Sequence, residues 1–351
     1  MLDHLPHGYR SRPAEAGDAE ELTAMFNAYA LGLLGIAPHR AADLLVEWRE
    51  PGFEPGSDTV VVVGPNGSLV GYAEVWDTQE PHVRLFSWGR VYPDHHGHGI
   101  GTRLLAWEEA RACRAIERAP AGARVTLRQG VFAQDAPAHA LFDRGGFRVV
   151  RHFLRMETSV DGPLERPTWP AGISVRTFDP DRDLEPAVMA LRDAFQDHWG
   201  NIVPPLETDL AAWRHMVAED KGFDPSLWYL AVADGRIVGV CGCWQDLAED
   251  PRLGVVGSLG VVRPWRRRGV ALALLMHAFA ELKQRGKTRI QLGVDASSLT
   301  GATRLYERAG MRPIRTTHLY EKELRAGRDL TTQQLDRTGE EGGDFREAST
   351  P

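Results

Sequence analysis

The sequence predicts a mixed α/β fold (an α+β mixed sheet) present in two tandem copies, and three observations carry that prediction. First, the chain repeats itself. "LVGYAEVW" returns as "IVGVCGCW", "GRVYPDHHGHGIGTRLL" as "GVVRPWRRRGVALALL", and "ALFDRGGF" as "RLYERAGM". Offsets of 168, 170 and 164 residues separate Trp76 from Trp244, Gly99 from Gly269, and Phe142 from Tyr306. Signatures in the same order at nearly constant spacing mean one domain used twice. Second, each copy contains a hairpin with a turn at "GPNGS" or "ADGR", and hairpins exclude a doubly wound parallel sheet. Third, a glycine-bearing loop in each copy runs directly into a long amphipathic stretch, with Leu272, Leu275, Met276, Phe279 and Leu282 at helical spacing after Gly269.

Each copy justifies the same run of elements. A strand ("YRSRPA"; "ISVRTF") leads into helices ("AEELTAMFNAYALGLLG"; "LEPAVMALRDAF"). The hairpin follows, then a fourth strand ("VRLFSWGRV"; "GVVGSLGVV"), the amphipathic helix, a fifth strand ("RVTLRQGVF"; "RIQLGVD"), a short helix with the "LF" or "LY" pair, and a closing strand. The repeat places one domain at residues 1–160 and a second at 173–325. The proline- and glycine-rich stretch 161–172 reads as a linker. Residues 326–351 are nearly devoid of apolar side chains and read as a disordered tail.

Composition narrows the function classes. At 351 residues, 43% apolar and 25% charged, the chain has room for two cores and the balance of a globular protein. No run of about 18 apolar residues and no signal-peptide core occurs, so a cytoplasmic protein without a membrane partner is expected. Cys113, Cys241 and Cys243 suit a reducing compartment, and Cys241 and Cys243 read as packing residues; no metal is expected. A net charge of -7 argues against nucleic acid and is compatible with cationic amines.

The loop "RPWRRRGVA" has a chemical use. A bare glycine backbone and the free N–H groups of a helix N-terminus attract an anion, and Arg266, Arg267 and Arg268 add charge around the pocket. A pyrophosphate would suit it. Arg266-x-x-Gly269-x-Ala271, followed by Ala302-x-x-Leu305-Tyr306-x-x-x-Gly310-Met311, resembles the GNAT superfamily of acyl-CoA-dependent N-acyltransferases, and both copies carry the resemblance. It implies acetyl-CoA bound in the second copy by Leu259, Gly260, Val261 and Val262 on strand four, by Arg266 to Ala271 (including Val270) on the loop, and by Ser298. The matching first-copy residues are Val91, His96, Gly97, His98, Gly99, Ile100 and Gly101.

The chemistry that the resemblance implies is attack by a neutral amine on a thioester. It requires a donor to the oxyanion, for which the N–H of Val261 or Val262 is the candidate, and a general acid, for which Tyr306 matches the family tyrosine. Strand four of the second copy has no ionisable residue, so His198, Asp246, Glu249, Asp295, His318 or a water chain is left as base. The first copy has Phe142 in place of the tyrosine and His96 in place of Arg266; it reads as catalytically degenerate, there to shape the acceptor cleft or brace its twin. Within tandem members, "DAFQDHWG" and "DPSLWYLAVADGRIVG" are similar to the mycothiol synthase group, although "CGCWQDLAED" departs from that group's Trp-Thr-Lys-Val-His stretch and the strand-four glutamate is missing. His198, Trp199 and Trp213 are the expected acceptor-binding residues. The expected function is acetyl transfer to a primary amine of a small molecule by a monomer or homodimer; a non-catalytic acetyl-CoA sensor or scaffold and a protein or peptide N-acetyltransferase are the alternatives.

Overall fold

Runs rich in valine and alternating apolar residues form the strands, and the 3.6-residue stripes form the helices, in the expected order. The computed structural model describes residue 2 and residues 4–220, 222–245 and 250–333; Asp246, Glu249 and residues 334–351 lie outside the described residues. The first half comprises β1 (Arg10–Arg12), α1 (Ala19–Leu34), α2 (Ala41–Glu47), α3 (Pro55–Asp58), β2 (Thr59–Val63), β3 (Leu69–Trp76), β4 (Arg84–Val91), α4 (Ile100–Cys113), β5 (Val125–Phe132), α5 (Ala136–Arg144) and β6 (Arg148–Ser159). The second repeats it with β7 (Ser174–Thr177), α6 (Pro180–Phe195), α7 (Leu206–Glu219), β8 (Trp228–Ala233), β9 (Arg236–Trp244), β10 (Leu253–Val261), α8 (Val270–Gln284), β11 (Arg289–Asp295), α9 (Ala302–Arg308) and β12 (Arg312–Arg325).

All twelve strands join one sheet in the order β1-β2-β3-β4-β5-β12-β6-β11-β10-β9-β8-β7. Closing strands are therefore exchanged between the halves. β12 pairs antiparallel with β5 of the first half, from Thr317↔Phe132 to Arg325↔Val125, and β6 pairs with β11 of the second, from Arg289↔Ser159 to Asp295↔Phe153. β6 and β12 also pair with each other at the centre. Residues 1–160 and 173–325 thus divide the sequence repeat but not the sheet.

Within each half one strand pair runs parallel, and it pairs only at its start. β4 meets β5 over Arg84–Phe86, and β10 meets β11 over Leu253–Val256, after which the partners separate. The second half alone carries a bulge on its fourth strand, where the register with β9 shifts between Val256 and Ser258. That places Gly257 as the extra residue, and the corresponding β3–β4 pairing runs without interruption.

The α8 stripe is shifted at its start: Val270, Ala273 and Leu274 are buried ahead of Leu275, Phe279 and Leu282, whereas Leu272 is only half-buried. Cys241 and Cys243 are fully buried on β9 and share the core beneath α8 with Met156 of the exchanged strand. Leu164 and Trp169 of the linker pack on that core. The expectation of a disordered tail fails for residues 326–333. Backbone bonds join Arg328 to Gly122 and Arg124 and Thr332 to Gly200 and Asn201, and Leu330 packs on the first-half core, so main-chain pairing supplies the order that composition does not suggest. Among the described residues no helix is long and apolar enough to cross a membrane, and no group of three His, Cys, Asp or Glu side chains could hold a metal ion.

Candidate active site

The loop from β10 to α8 turns through Arg267 at φ 59° and Gly269 at φ 90°, a left-handed conformation in which glycine is unstrained. Gly269 caps α8 with no side-chain bond, and the first bond of the helix is Ala273 N–H to the Gly269 carbonyl. The N–H groups of Val270, Ala271 and Leu272 consequently have no partner within the helix, and nothing lies within 4 Å of where a Gly269 Cβ would stand. Free N–H groups at a helix N-terminus are of the kind that can receive an anion. The arginines of the loop divide the work in a way the sequence did not indicate. Arg266 turns away from the loop and bonds Asp197 at 2.6 Å and the Ala194 carbonyl at 3.0 Å, tying β10 to the end of α6. Hydrogen bonds from Arg263 and Arg266 hold the Asp197 carboxyl below its ordinary pKa. Arg268 lies over the Trp265 ring, 4.9 Å from its centroid.

Where β10 leaves β11, the backbone of β10 faces the gap with alternate residues. Val262 donates its N–H to Val238 on β9 at 3.0 Å, so it is not free as an oxyanion donor. Gly260 shares its parity, and the N–H groups of Leu259 and Val261 point the other way, into the gap. Tyr306 of α9 shares the apolar cluster of Val256, Val261, Val270 and Val294 at this place and is 8% exposed. Its hydroxyl has no hydrogen-bond partner among the described residues. Burial, with Cys241 nearby, pushes its pKa up to about 12, so the phenol keeps its proton through the neutral range. Ser298 is not part of this cluster; its hydroxyl bonds Thr300 at 3.1 Å and the Ala302 N–H at 3.4 Å, organising the start of α9.

On the opposite face a cleft of about 250 Å³ opens beside β10, lined by Ser258, by Leu191 and Phe195 of α6, by Trp213 of α7, and by Glu80 and Arg84 of the first half. Of the three expected acceptor-binding residues only Trp213 borders it. Trp199 is instead wedged between the guanidinium groups of Arg128 and Arg151, 4.6 and 4.5 Å from its ring, and donates to Gln333 at 2.9 Å. It joins the halves. His198 packs its ring on Phe195, 4.6 Å between centroids. Asp295 caps the turn after β11 through Ser297 N–H at 2.9 Å, and His318 sits on the central strand pair against His152 at 4.6 Å. Glu80 and Arg84 went unrecognised because their hairpin belongs to the other copy; the only sequence signal is the charged stretch "TQEPHVR" between two buried strands.

The profile of the Acetyltransferase (GNAT) family matches residues 188–311, and that of the Acetyltransferase (GNAT) domain matches residues 56–149. The mycothiol acetyltransferase of Thermobispora bispora is 30% identical over 300 residues, covering 84% of this chain and 92% of that protein. The chain is a tandem member of the GNAT acetyltransferase family. The mycothiol acetyltransferase of Streptomyces griseus is 32% identical over 259 residues, 72% of this chain and 75% of its own. Among solved structures, a GCN5-related N-acetyltransferase from Sphaerobacter thermophilus superposes with a TM-score of 0.77 at 36% identity, covering 94% of this chain and all of that one. A tandem GNAT protein from the clavulanic acid pathway shares the fold at a TM-score of 0.69 and 17% identity, covering 91% of this chain and 99% of its own. The protein is an N-acetyltransferase, and the donor its family uses is acetyl-CoA.

This tandem acetyltransferase retains a second loop of the same shape. Gly97 and Gly99 lie at φ 81° and 77°, and α4 starts at Gly99 without a side-chain cap. Val91, His96, Gly97, Gly99, Ile100 and Gly101 line a cavity of about 440 Å³ that reaches between the separated ends of β4 and β5; His98 turns back onto the carbonyls of His95 and His96. The inner end of that cavity differs from its counterpart. Phe142 stands for Tyr306, Arg90 lies over the rings of Tyr29 (4.7 Å) and Trp88 (4.3 Å), and Tyr29 donates to Asp135.

Proposed function

We propose that the second half transfers the acetyl group of acetyl-CoA to a primary amine of a small molecule, while the first half supplies one wall of the acceptor site. The observation that carries this reading is the cleft at Ser258, which opens on the bulged strand and is closed by side chains of both halves. At about 250 Å³ it fits a small molecule better than a protein segment. The curated relatives, which are mycothiol acetyltransferases, support the same class.

In this reading the N–H groups at the start of α8, with Arg267 and Arg268 beside them, hold the pyrophosphate, and β10 pairs with the pantetheine arm. Acetyl-CoA supplies a thioester carbonyl as electrophile when bound. Val261 presents an N–H into the gap, where it donates to an oxygen gaining negative charge. Gly257 makes that possible by offsetting the strand from β9. Tyr306 holds a proton in an apolar setting, where a departing thiolate takes it more readily than bulk water would supply it. The amine enters from the α6–α7 side.

Thiol release from acetyl-CoA in the presence of a mixed primary-amine library tests the proposal. Release above the hydrolysis background is expected. Saturable binding of acetyl-CoA with no amine-dependent release would overturn it in favour of a sensor.

A further inference from the structure

The acceptor cleft holds an imbalance of charge that its own walls do not resolve. Arg192 and Asp209 both border it and pair with each other, with Arg192 also donating to the Pro204 carbonyl at 2.7 Å. Glu80 and Arg84, from the hairpin between β3 and β4, border it too. Neither has an oppositely charged side chain within 4 Å among the described residues, and they do not pair with one another. Arg84 is positioned firmly: it donates to the Gly200 carbonyl and to Gln79 at 3.0 Å, leaving its buried Nε–H without a partner. Burial and the nearby Arg128 guanidinium lower its pKa to about 10, so it remains a cation at neutral pH.

A half-buried cation and an exposed anion that border one small cavity without meeting are complementary to a molecule carrying both charges. The neighbouring Arg128 takes up Glu321 at 2.6 Å, so Arg84 is left as a part-buried guanidinium with no carboxylate of its own, which is unfavourable unless an anion compensates it. We propose that the acceptor is a small zwitterion, a molecule with an amine and a carboxylate, whose carboxylate pairs with Arg84 and whose amino group is received by Glu80. The inference rests on the acceptor reading of this cleft. It makes two first-half residues determinants of acceptor specificity for chemistry in the second half, through an ionic pair of the kind that discriminates by leaving charges unpaired in the wrong complex.

The test uses the full-length protein, acetyl-CoA, and a series of acceptors: glycine, β-alanine, γ-aminobutyrate and lysine, each against its own carboxamide. At least one acid should be acetylated with a kcat/KM roughly 10- to 100-fold above its amide. Arg84→Gln should bring that ratio to near one by raising the acceptor KM while leaving the KM for acetyl-CoA unchanged, and Arg84→Lys should restore part of it. Glu80→Gln should raise the KM of acid and amide alike by about 10-fold; its exposed position keeps that variant informative if Arg84→Gln fails to fold. Amides used as well as acids by the parent protein would overturn the zwitterion while leaving acetyl transfer to amines standing. So would failure of every acid in the series while the mixed amine library still releases thiol, or an acid preference unchanged in Arg84→Gln.

Discussion

On the fourth strand of the first half, Arg90 crosses beneath α1 with its guanidinium over Tyr29; at the same place in the second half stands Gly260, where an added Cβ would lie 2.8 Å from the Ala194 Cβ of α6. Two residues earlier, Trp88 fills the first half, packed edge-on against Phe26 at 4.6 Å, and Ser258 leaves the second half open. The two copies have thus divided a single ancestral plan. The first is filled on the α1 face and hollow on the glycine-loop face. The second is open on the α6 face and keeps the bulge and the tyrosine, while both halves keep the left-handed glycine turn. The filled space beneath α1, with the loop retained, separates the first half from the second.

The largest effect should come from cutting them apart. Deleting residues 1–160 removes both neighbours of β12 and one of the two partners of β11, leaving long unpaired edges in the middle of the sheet. Circular dichroism and size-exclusion chromatography of residues 161–351 should report an unfolded or aggregated chain, whereas co-expression of the two segments should restore a folded complex. A monomeric, folded second half would show that the exchange is dispensable.

Next in size is a charge placed on either loop. Gly269→Glu sets a carboxylate where a pyrophosphate is proposed and strains a residue at φ 90°, so amine-dependent thiol release should vanish; Gly269→Ala, which carries the strain alone, should retain part of it. Gly99→Glu in the first half, at φ 77°, should leave turnover largely intact. If the Gly99 variant were folded and inactive, the first half would be a working or regulatory site and the division drawn above would be wrong.

How much of this was legible beforehand follows from the range of the interactions. The repeat, the hairpins, the two glycine turns and the helix that bears Tyr306 are local patterns, and they appear where the residues place them. The strand exchange is not local: "RVVRHFLRMETS" and "RPIRTTHLYEKELR" alternate in the same way whichever fifth strand they join, so nothing in either segment selects the partner. From that one omission another difference follows. Trp199 looked like an acceptor residue because Arg128 and Arg151 meet only after the strands cross. Arg266 matched a loop motif by type, yet its guanidinium is claimed by Asp197, a pairing across 69 residues.

Smaller than the loop effect is the loss of the proposed acid. Tyr306→Phe should lower turnover by about 10- to 10⁴-fold, the range for one positioned proton donor, with acetyl-CoA affinity nearly unchanged. Because burial raises that phenol to about 12, the parent rate should show no fall on the alkaline side through pH 10 from this group. Phe142→Tyr should give the first half no activity, since Trp88 still occupies the acceptor side. An unaltered rate in Tyr306→Phe would assign the proton to another donor.

The smallest effect isolates a group that only the first half possesses. Glu108 on α4 is 2% exposed, accepts from Ser87 at 3.2 Å, and corresponds by the spacing from Gly99 and Gly269 to Ala278, which is fully buried. Burial raises its carboxyl from the ordinary 4.5 to about 8, outweighing the Ser87 bond and the charge of Arg90. Below pH 4.5 it is protonated in both folded and unfolded chains and costs nothing. Between those two values the unfolded chain releases the proton and the folded chain keeps it, so stability declines as pH rises, and above about 8 the decline from this group is complete. Glu108→Gln cannot ionise and preserves the shape, so it should match the parent near pH 4 to 5 and exceed it at pH 9 by roughly 1–5 kcal/mol, each pKa unit being worth about 1.4 kcal/mol. Denaturant midpoints at pH 5, 7 and 9 measure this directly. Parallel curves for parent and variant would mean that Glu108 is already ionised in the folded first half, and the polar inner end of its cavity would then have to be read as an anionic one.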